Sequence, residues 1–137
     1  TGFLLGWVAS HASERFAAAL AEVGLTPHQL GVLTVLTDGP QKQARISEQL
    51  KVFQPVMVTL VNELESAGLV RREPHPDDRR ALQIHLEPAG AERLAAAQRA
   101  LDAATEDIFG ALSAEDRAHL HRTLLEMVHH LDPRQES

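Results

Sequence analysis

Cysteine is absent from the 137 residues, and this absence excludes disulfides, thiol-based redox sensing and thiolate metal sites. No apolar run approaches the roughly 18 residues that a membrane span needs. The apolar start, FLLGWVAS, also lacks the basic flank of a secretory signal. We therefore expect a cytoplasmic protein without membrane association. The length indicates a single domain over residues 1–137, long enough to bury a real core.

The sequence also has little that would support catalysis or metal binding. It contains no glycine-rich phosphate loop, no nucleophile elbow and no strand-borne carboxylate pair, so we expect no enzyme activity. Eight histidines raise the question of zinc. His119 and His121 are two apart on a helix and point away from each other, the adjacent pair at 129–130 also diverges, and no HExxH motif occurs. We expect no metal site and no required cofactor.

Positive charge is scarce overall but unevenly distributed. The chain has a formal net charge of -6. Residues 42–80 hold seven Lys or Arg and six Asp or Glu, a net charge of +1, whereas the rest holds six and 13, a net charge of -7. Four of the 13 basic residues lie between Arg71 and Arg80. Because electric fields are local, an acidic body can still present a basic edge.

Apolar periodicity predicts six helices and one β-hairpin. Thr26, Pro27 and Gln29 form a capping box that starts the second helix, and Gly68 ends the fourth. After Gly68 the pattern changes to two short strands joined by the tip HPDDRR, with Leu82, Ile84 and Leu86 inward. The helices are expected at 3–23, 27–37, 43–51, 54–67, 88–110 and from Ser113 onward.

Helix, short helix, break, helix and hairpin is the order of a winged helix-turn-helix, so the fold class is mainly α with a two-stranded β-wing. In the fourth helix, an apolar stripe at helical spacing is expected to face inward. That stripe comprises Met57, Leu60, Val61 and Leu64. The opposite face is expected to read DNA bases through Gln54, Pro55, Val58, Thr59 and Asn62, since amides pair with adenine and apolar groups contact thymine methyls. The alternative is an ordinary exposed face of an amphipathic helix.

Phosphate contacts are expected from cations that flank the fourth helix, which has no Lys or Arg of its own. These cations are Lys42, Arg45, Lys51, Arg71 and Arg72. The hairpin tip carries Asp78, Arg79 and Arg80 and is expected to reach the minor groove, where arginine fits well. The spacing allows Asp78 to hold the Arg80 side chain extended. The alternative is a salt-bridged surface turn of little energetic value.

The chain resembles the MarR-type family of winged helix-turn-helix transcriptional regulators over nearly its whole length. The resemblance rests on GLTPHQLGVLTVL, VTLVNELESAGLVRRE and DDRRALQIHLEPAG. It implies a bacterial DNA-binding regulator, expected to be a repressor, with Asp78 and Arg80 as the wing pair and residues 54–67 as recognition helix. Thr59 stands where the family often has arginine, and Glu87 where it has threonine. The absence of cysteine removes the family's oxidation-sensing branch.

The resemblance further implies a homodimer. Residues 25–90 would then bind DNA, while residues 1–24 and 91–137 would form the dimer. It also implies a cleft for a small aromatic anionic effector, which four residues are expected to line if they are not ordinary interface residues. These residues are Trp7, His11, Arg15 and His28.

Two rival functions remain open from the sequence. A winged-helix protein-interaction module without DNA affinity would use the same hairpin against a protein, and the acidic total charge is compatible with it. A ligand-binding or metal-buffering helical protein leaves the basic cluster at 71–80 unexplained. Steep weakening of DNA binding with salt separates the DNA-binding hypothesis from the first rival.

Overall fold

The computed structural model of the protein describes residues 1–132. Within that range it has six α-helices and three short β-strands, and a 3-10 turn at Leu36–Asp38 extends the second helix. The elements in chain order are α1 (Gly2–Glu22), α2 (Pro27–Val35), β1 (Gln41–Lys42), α3 (Gln43–Leu50), α4 (Gln54–Ser66), β2 (Val70–Pro74), β3 (Leu82–Leu86), α5 (Pro88–Phe109) and α6 (Ala114–Leu131). The predicted winged-helix fold with six helices is confirmed.

Local capping chemistry sets several helix ends. The Thr26 hydroxyl accepts from the backbone N–H of Gln29, and the Gln29 side chain accepts from the backbone N–H of Thr26, which confirms the capping box. Ser113 caps α6 by accepting from the backbone N–H of Asp116. Gly68, at φ +76°, takes the left-handed conformation predicted after α4.

The wing belongs to a three-stranded antiparallel sheet rather than the two-stranded hairpin that was predicted. Strand order is β1-β3-β2, and Gln41 and Lys42 pair with Ile84 and Gln83. A two-residue strand carries no periodicity of its own, so the sequence pattern missed β1. The prediction that Leu82 faces inward was also wrong. Leu82 is 42% exposed because it lies at the end of β3 next to the tip, beyond the core that covers Ile84.

The core of the winged-helix region is formed by the inward faces of α2, α3, α4 and β3. Its fully buried residues include Leu33, Ile46, Met57 and Ile84. The first turn of α5 packs so closely on the chain after α4 that a Cβ on Gly90 would overlap the Leu69 carbonyl oxygen. Glycine is therefore required where α5 leaves the winged helix. The core holds α4 and the hairpin in a defined relation.

The chain divides into two compact units, Thr1–Asp102 and one that begins at Ala103. In the first unit, the start of α1 is exposed although it is strongly apolar, with Phe3 at 80%, Leu4 at 65% and Trp7 at 51%. In the second unit, α6 has no buried residue and leaves Val128 and Leu131 exposed. Across residues 1–132, none of the helices combines the length and apolar character of a transmembrane span.

Candidate nucleic-acid interface

Helix α4 presents two faces of different chemistry. Met57, Leu60, Val61 and Leu64 are buried, as predicted. All five residues predicted to read bases are exposed: Gln54, Pro55, Val58, Thr59 and Asn62. Two further exposed apolar residues at the start of this surface were not predicted: Phe53, at 83% exposure, and Val56, at 45%. The sequence did contain a signal for them, because both are large apolar residues at the start of a helix that do not belong to its buried stripe.

The cations that flank α4 fall into two groups. Five are exposed, and within residues 1–132 none of them makes a side-chain ion pair. These five are Lys42, Arg45, Lys51, Arg79 and Arg80. Their charges are available to a polyanion, because no carboxylate of the described chain neutralises them at contact distance. The two arginines of β2 differ.

Arg72 was predicted to contact phosphate, but the structure places its guanidinium against the protein, with the side chain 15% exposed. Its Nη1 donates to Asn62 Oδ1 at 2.6 Å, and its Nη2 donates to the Val58 carbonyl at 3.1 Å. Its Nε donates to Gln43 Oε1 at 3.2 Å. The Glu65 carboxylate accepts from the Arg72 backbone N–H at 2.9 Å and lies 3.4 Å from Nη1. Arg72 thus ties α3, α4 and β2 together.

This arrangement changes what Asn62 can offer to a ligand. A guanidinium has only donors, so the amide atom that faces Arg72 is the oxygen. The Nδ2 group is then the part of the amide left to contact a partner. The paired contact to adenine that was expected of Asn62 uses both oxygen and nitrogen of the amide. Gln54 has no such restraint from Arg72.

Arg71 was also predicted to contact phosphate, and it too has partners within the protein. Its Nε donates to Glu73 at 2.8 Å and its Nη1 to Glu87 at 2.6 Å. The hydrogen bond that Arg71 donates to Glu73, followed by the one that it donates to Glu87, raises the pKa of Arg71. The hydrogen bond from Arg71 lowers the pKa of Glu73. One arginine between two carboxylates has no surplus positive charge for DNA.

At the hairpin tip, Asp78 acts on the backbone of Arg80 rather than on its side chain. Asp78 Oδ1 accepts from the Arg80 backbone N–H at 3.1 Å, the pattern of a side-chain-stabilised turn. The expected contact between the carboxylate and the Arg80 guanidinium is not formed in the described chain, because the carboxylate is used to shape the tip. The Arg80 side chain remains exposed.

A cleft of about 210 Å³ joins the tip to the start of α4. Its lining includes Lys42 from β1, Gln54 from α4, and Arg80 and Leu82 from the hairpin. One residue from each of the three predicted groups, phosphate-contacting, base-reading and wing, therefore lies on the same concave surface. β1, which was not predicted from the sequence, is the element that brings Lys42 beside β3.

The residues predicted to line an effector cleft are only partly brought together. Trp7 and His11 stack with their ring centroids 3.6 Å apart, and His11 Nδ1 donates to the Trp7 carbonyl at 2.8 Å. Arg15 and His28 are exposed. The cleft and its aromatic anionic effector stay predictions.

Comparison with known proteins agrees with this architecture. The sequence model of the MarR family matches residues 23–81. The chain is 33% identical over 98 residues, 71% of its length, to a proposed transcriptional regulator of the hcr operon in Thauera aromatica. That match covers 59% of the Thauera protein, so the chain spans less than two thirds of that relative.

Two further proteins are similar over a larger share of their own length. The transcriptional regulator HosA of Escherichia coli O111:H- is 32% identical over 94 residues, which cover 68% of this chain and 70% of HosA. The solved structure of the transcriptional repressor CouR bound to a 23-mer DNA duplex is 30% identical. It matches 93% of this chain and 91% of CouR with a TM-score of 0.79. The chain belongs to the MarR family of transcriptional regulators.

Proposed function

We propose that this chain is a homodimeric, sequence-specific DNA-binding transcriptional repressor. In this proposal α4 enters the major groove of a two-fold symmetric operator, and Arg80 of the hairpin tip enters the adjacent minor groove. The observation that carries the proposal is the cleft lined by Lys42, Gln54 and Arg80. It aligns a cation, an amide and the wing arginine on one surface.

Charge and similarity support the same assignment. The five exposed cations without ion pairs in residues 1–132 provide phosphate contacts that position the protein. CouR, similar over most of both chains, is a transcriptional repressor and binds a DNA duplex. The base-reading set is Gln54, Pro55, Val58 and Thr59, and Asn62 contributes its Nδ2 donor.

The homodimer is supported by apolar surface that the described chain leaves uncovered. Phe3, Leu4 and Trp7 on α1 and Val128 and Leu131 on α6 are exposed. Monomeric soluble proteins rarely expose clusters of large apolar side chains, and a second copy of the chain related by a two-fold axis would cover the exposed side chains of each helix. Sedimentation should give a dimer at micromolar concentration, and a monomer that binds DNA tightly would contradict the arrangement.

Selection of bound duplexes from a random DNA pool tests the function directly. We expect one enriched inverted repeat whose half-sites are centred about one helical turn apart, because a dimer offers its two α4 helices to one face of the duplex. Binding to that repeat should weaken steeply as salt rises. Absence of any enriched sequence would overturn the proposal in favour of a protein-interaction module.

A further inference from the structure

The turn that connects α3 to α4, residues 51–53, departs from local conformational preference at two positions. Lys51 has φ 53° and ψ 44°, and it is the one non-glycine residue in the described chain with positive φ. A lysine pays a steric penalty in this left-handed region that glycine avoids. Phe53 is the N-cap of α4 and makes no side-chain cap hydrogen bond, since a phenyl ring has no acceptor.

Phe53 is also the most exposed large apolar side chain in residues 1–132, at 83%. The N-cap residues of α2 and α6, Thr26 and Ser113, do form side-chain cap bonds. Helices α1 and α3 also lack a side-chain cap bond, but their N-cap residues, Thr1 and Lys42, are polar and well solvated by water. Among the described helices, α4 alone has an exposed aromatic residue at the N-cap position itself. Pro55, in the first turn, has no N–H donor to satisfy, but no contact within the described chain covers the Phe53 ring.

The position of the turn indicates which partner would cover the Phe53 ring. Phe53 directly precedes Gln54, which lines the cleft with Lys42 and Arg80. Val56, in the first turn of α4, is 45% exposed. The N-terminal residues of a recognition helix are those that contact base edges. The apolar feature of the major groove is the C5-methyl group of thymine.

We infer that Phe53, together with Val56, contacts thymine C5-methyl groups in the major groove and is a specificity-determining residue of the operator complex. The inference rests on the proposed function. Lys51 in the same turn supplies a cation for the neighbouring phosphate, so one partner accounts for both departures. Sequences that violate a local rule in this way tend to do so at functional sites.

Replacing thymine by uracil in the selected operator tests the contact, since it removes only the methyl group. Each thymine of a half-site is replaced in turn, and thymines in the flanks serve as the DNA control. We expect binding to weaken about fourfold at one or two half-site positions, the factor that corresponds to one buried methyl group. Flanking replacements should have no effect.

Two variants assign that methyl effect to Phe53. Phe53→Ser restores a capping side chain, so it should raise the melting temperature while it weakens operator binding and removes the uracil effect. Phe53→Leu keeps an apolar contact without a cap, so it should retain part of the uracil effect with an unchanged or lower melting temperature. Opposite shifts of stability and affinity in Phe53→Ser are the signature of a residue retained for its partner.

The outcomes separate the inference from the proposed function. Wild-type protein that selects an operator but tolerates uracil at every half-site position overturns the inference and leaves the function standing. An equal uracil effect in wild type and Phe53→Ser overturns it as well, and points to another residue as the methyl contact. Failure of the wild type to select any DNA overturns both.

Discussion

The two arginine pairs of the hairpin, Arg71–Arg72 and Arg79–Arg80, lie within one ten-residue stretch and carry the same charge. In β2, both guanidiniums are held by partners of the protein itself. At the tip, both side chains are exposed and have no ion pair within residues 1–132. A count of basic residues therefore overstates the charge available to DNA. The strand arginines contact other residues of the protein, whereas the tip arginines are available to contact a ligand.

The largest effect that would test this division is on folding stability. Arg72→Met should lower the free energy of unfolding by about 2–3 kcal/mol, because it leaves the Gln43, Asn62 and Glu65 acceptors without their charged donor. Arg79→Met, at the exposed tip, should change it by less than about 0.5 kcal/mol. Urea denaturation of the two variants makes the comparison. Equal stability would mean that the Arg72 contacts are not formed in solution.

The next effect concerns operator affinity. Arg80→Ala should weaken binding by about 1–3 kcal/mol with the fold intact, since the proposed minor-groove contact would be lost. Titration of the selected operator at moderate salt measures the loss, and circular dichroism checks the fold. Unchanged affinity would exclude a minor-groove role for Arg80.

Substitutions of Asp78 test the hairpin tip further, because the Asp78 carboxylate accepts a hydrogen bond from the Arg80 backbone. Asp78→Asn keeps an oxygen that can accept from the Arg80 backbone N–H, whereas Asp78→Ala does not. We expect Asp78→Ala to weaken operator binding, by less than Arg80→Ala does, and Asp78→Asn to bind nearly as wild type. If Asn and Ala weaken binding equally, the carboxylate charge matters, and the tip changes its contacts when DNA binds.

How well the sequence predicted each region depended on how far apart the interacting residues lie along the chain. The Thr26 capping box and the buried stripe that includes Met57 follow from spacings of a few residues, so periodicity and turn chemistry identified them. The partners of Arg72 lie seven to 29 residues away along the chain, on elements that only the tertiary fold brings together. The basic residues at 71–80 could indicate a polyanion partner. Composition could not show which of these arginines contact the protein itself and which are left to contact a ligand.

The salt dependence of DNA binding gives a smaller effect that separates the two groups of cations. Lys51→Ala and Arg45→Ala should each reduce the slope of log affinity against log salt by about one unit, as expected for one lost phosphate contact. Arg71→Gln should leave that slope nearly unchanged, since Glu73 and Glu87 already neutralise Arg71. A reduction of one unit for Arg71→Gln would show that DNA displaces its carboxylate partners.

The smallest expected effect is a pH dependence of stability that comes from the same strand. Arg71 lowers the pKa of Glu73 below its ordinary value of 4.5, so the unfolded chain binds more protons than the folded one near that pH. The stabilisation is fully present above about pH 4.5 and is lost as pH falls through the lower pKa of the folded state.

Arg71→Gln removes the main cause of that lowered pKa, so its free energy of unfolding should fall less between about pH 5 and pH 3 than that of the wild type. Two other titratable groups lie near this pair. His85 Nε2 is 3.4 Å from Glu73 Oε2, and Glu87 also accepts a hydrogen bond from Arg71. Glu73→Gln is the matched control and should show the same reduction.

The Glu106–Arg117 pair, which also lowers a carboxyl pKa, stays intact in both variants and accounts for part of the remaining slope. Because these groups are solvent-exposed, the difference should shrink as salt rises. A wild-type pH slope in Arg71→Gln at low salt would mean that Arg71 is free in solution, and the contrast between strand and tip arginines would then be confined to Arg72.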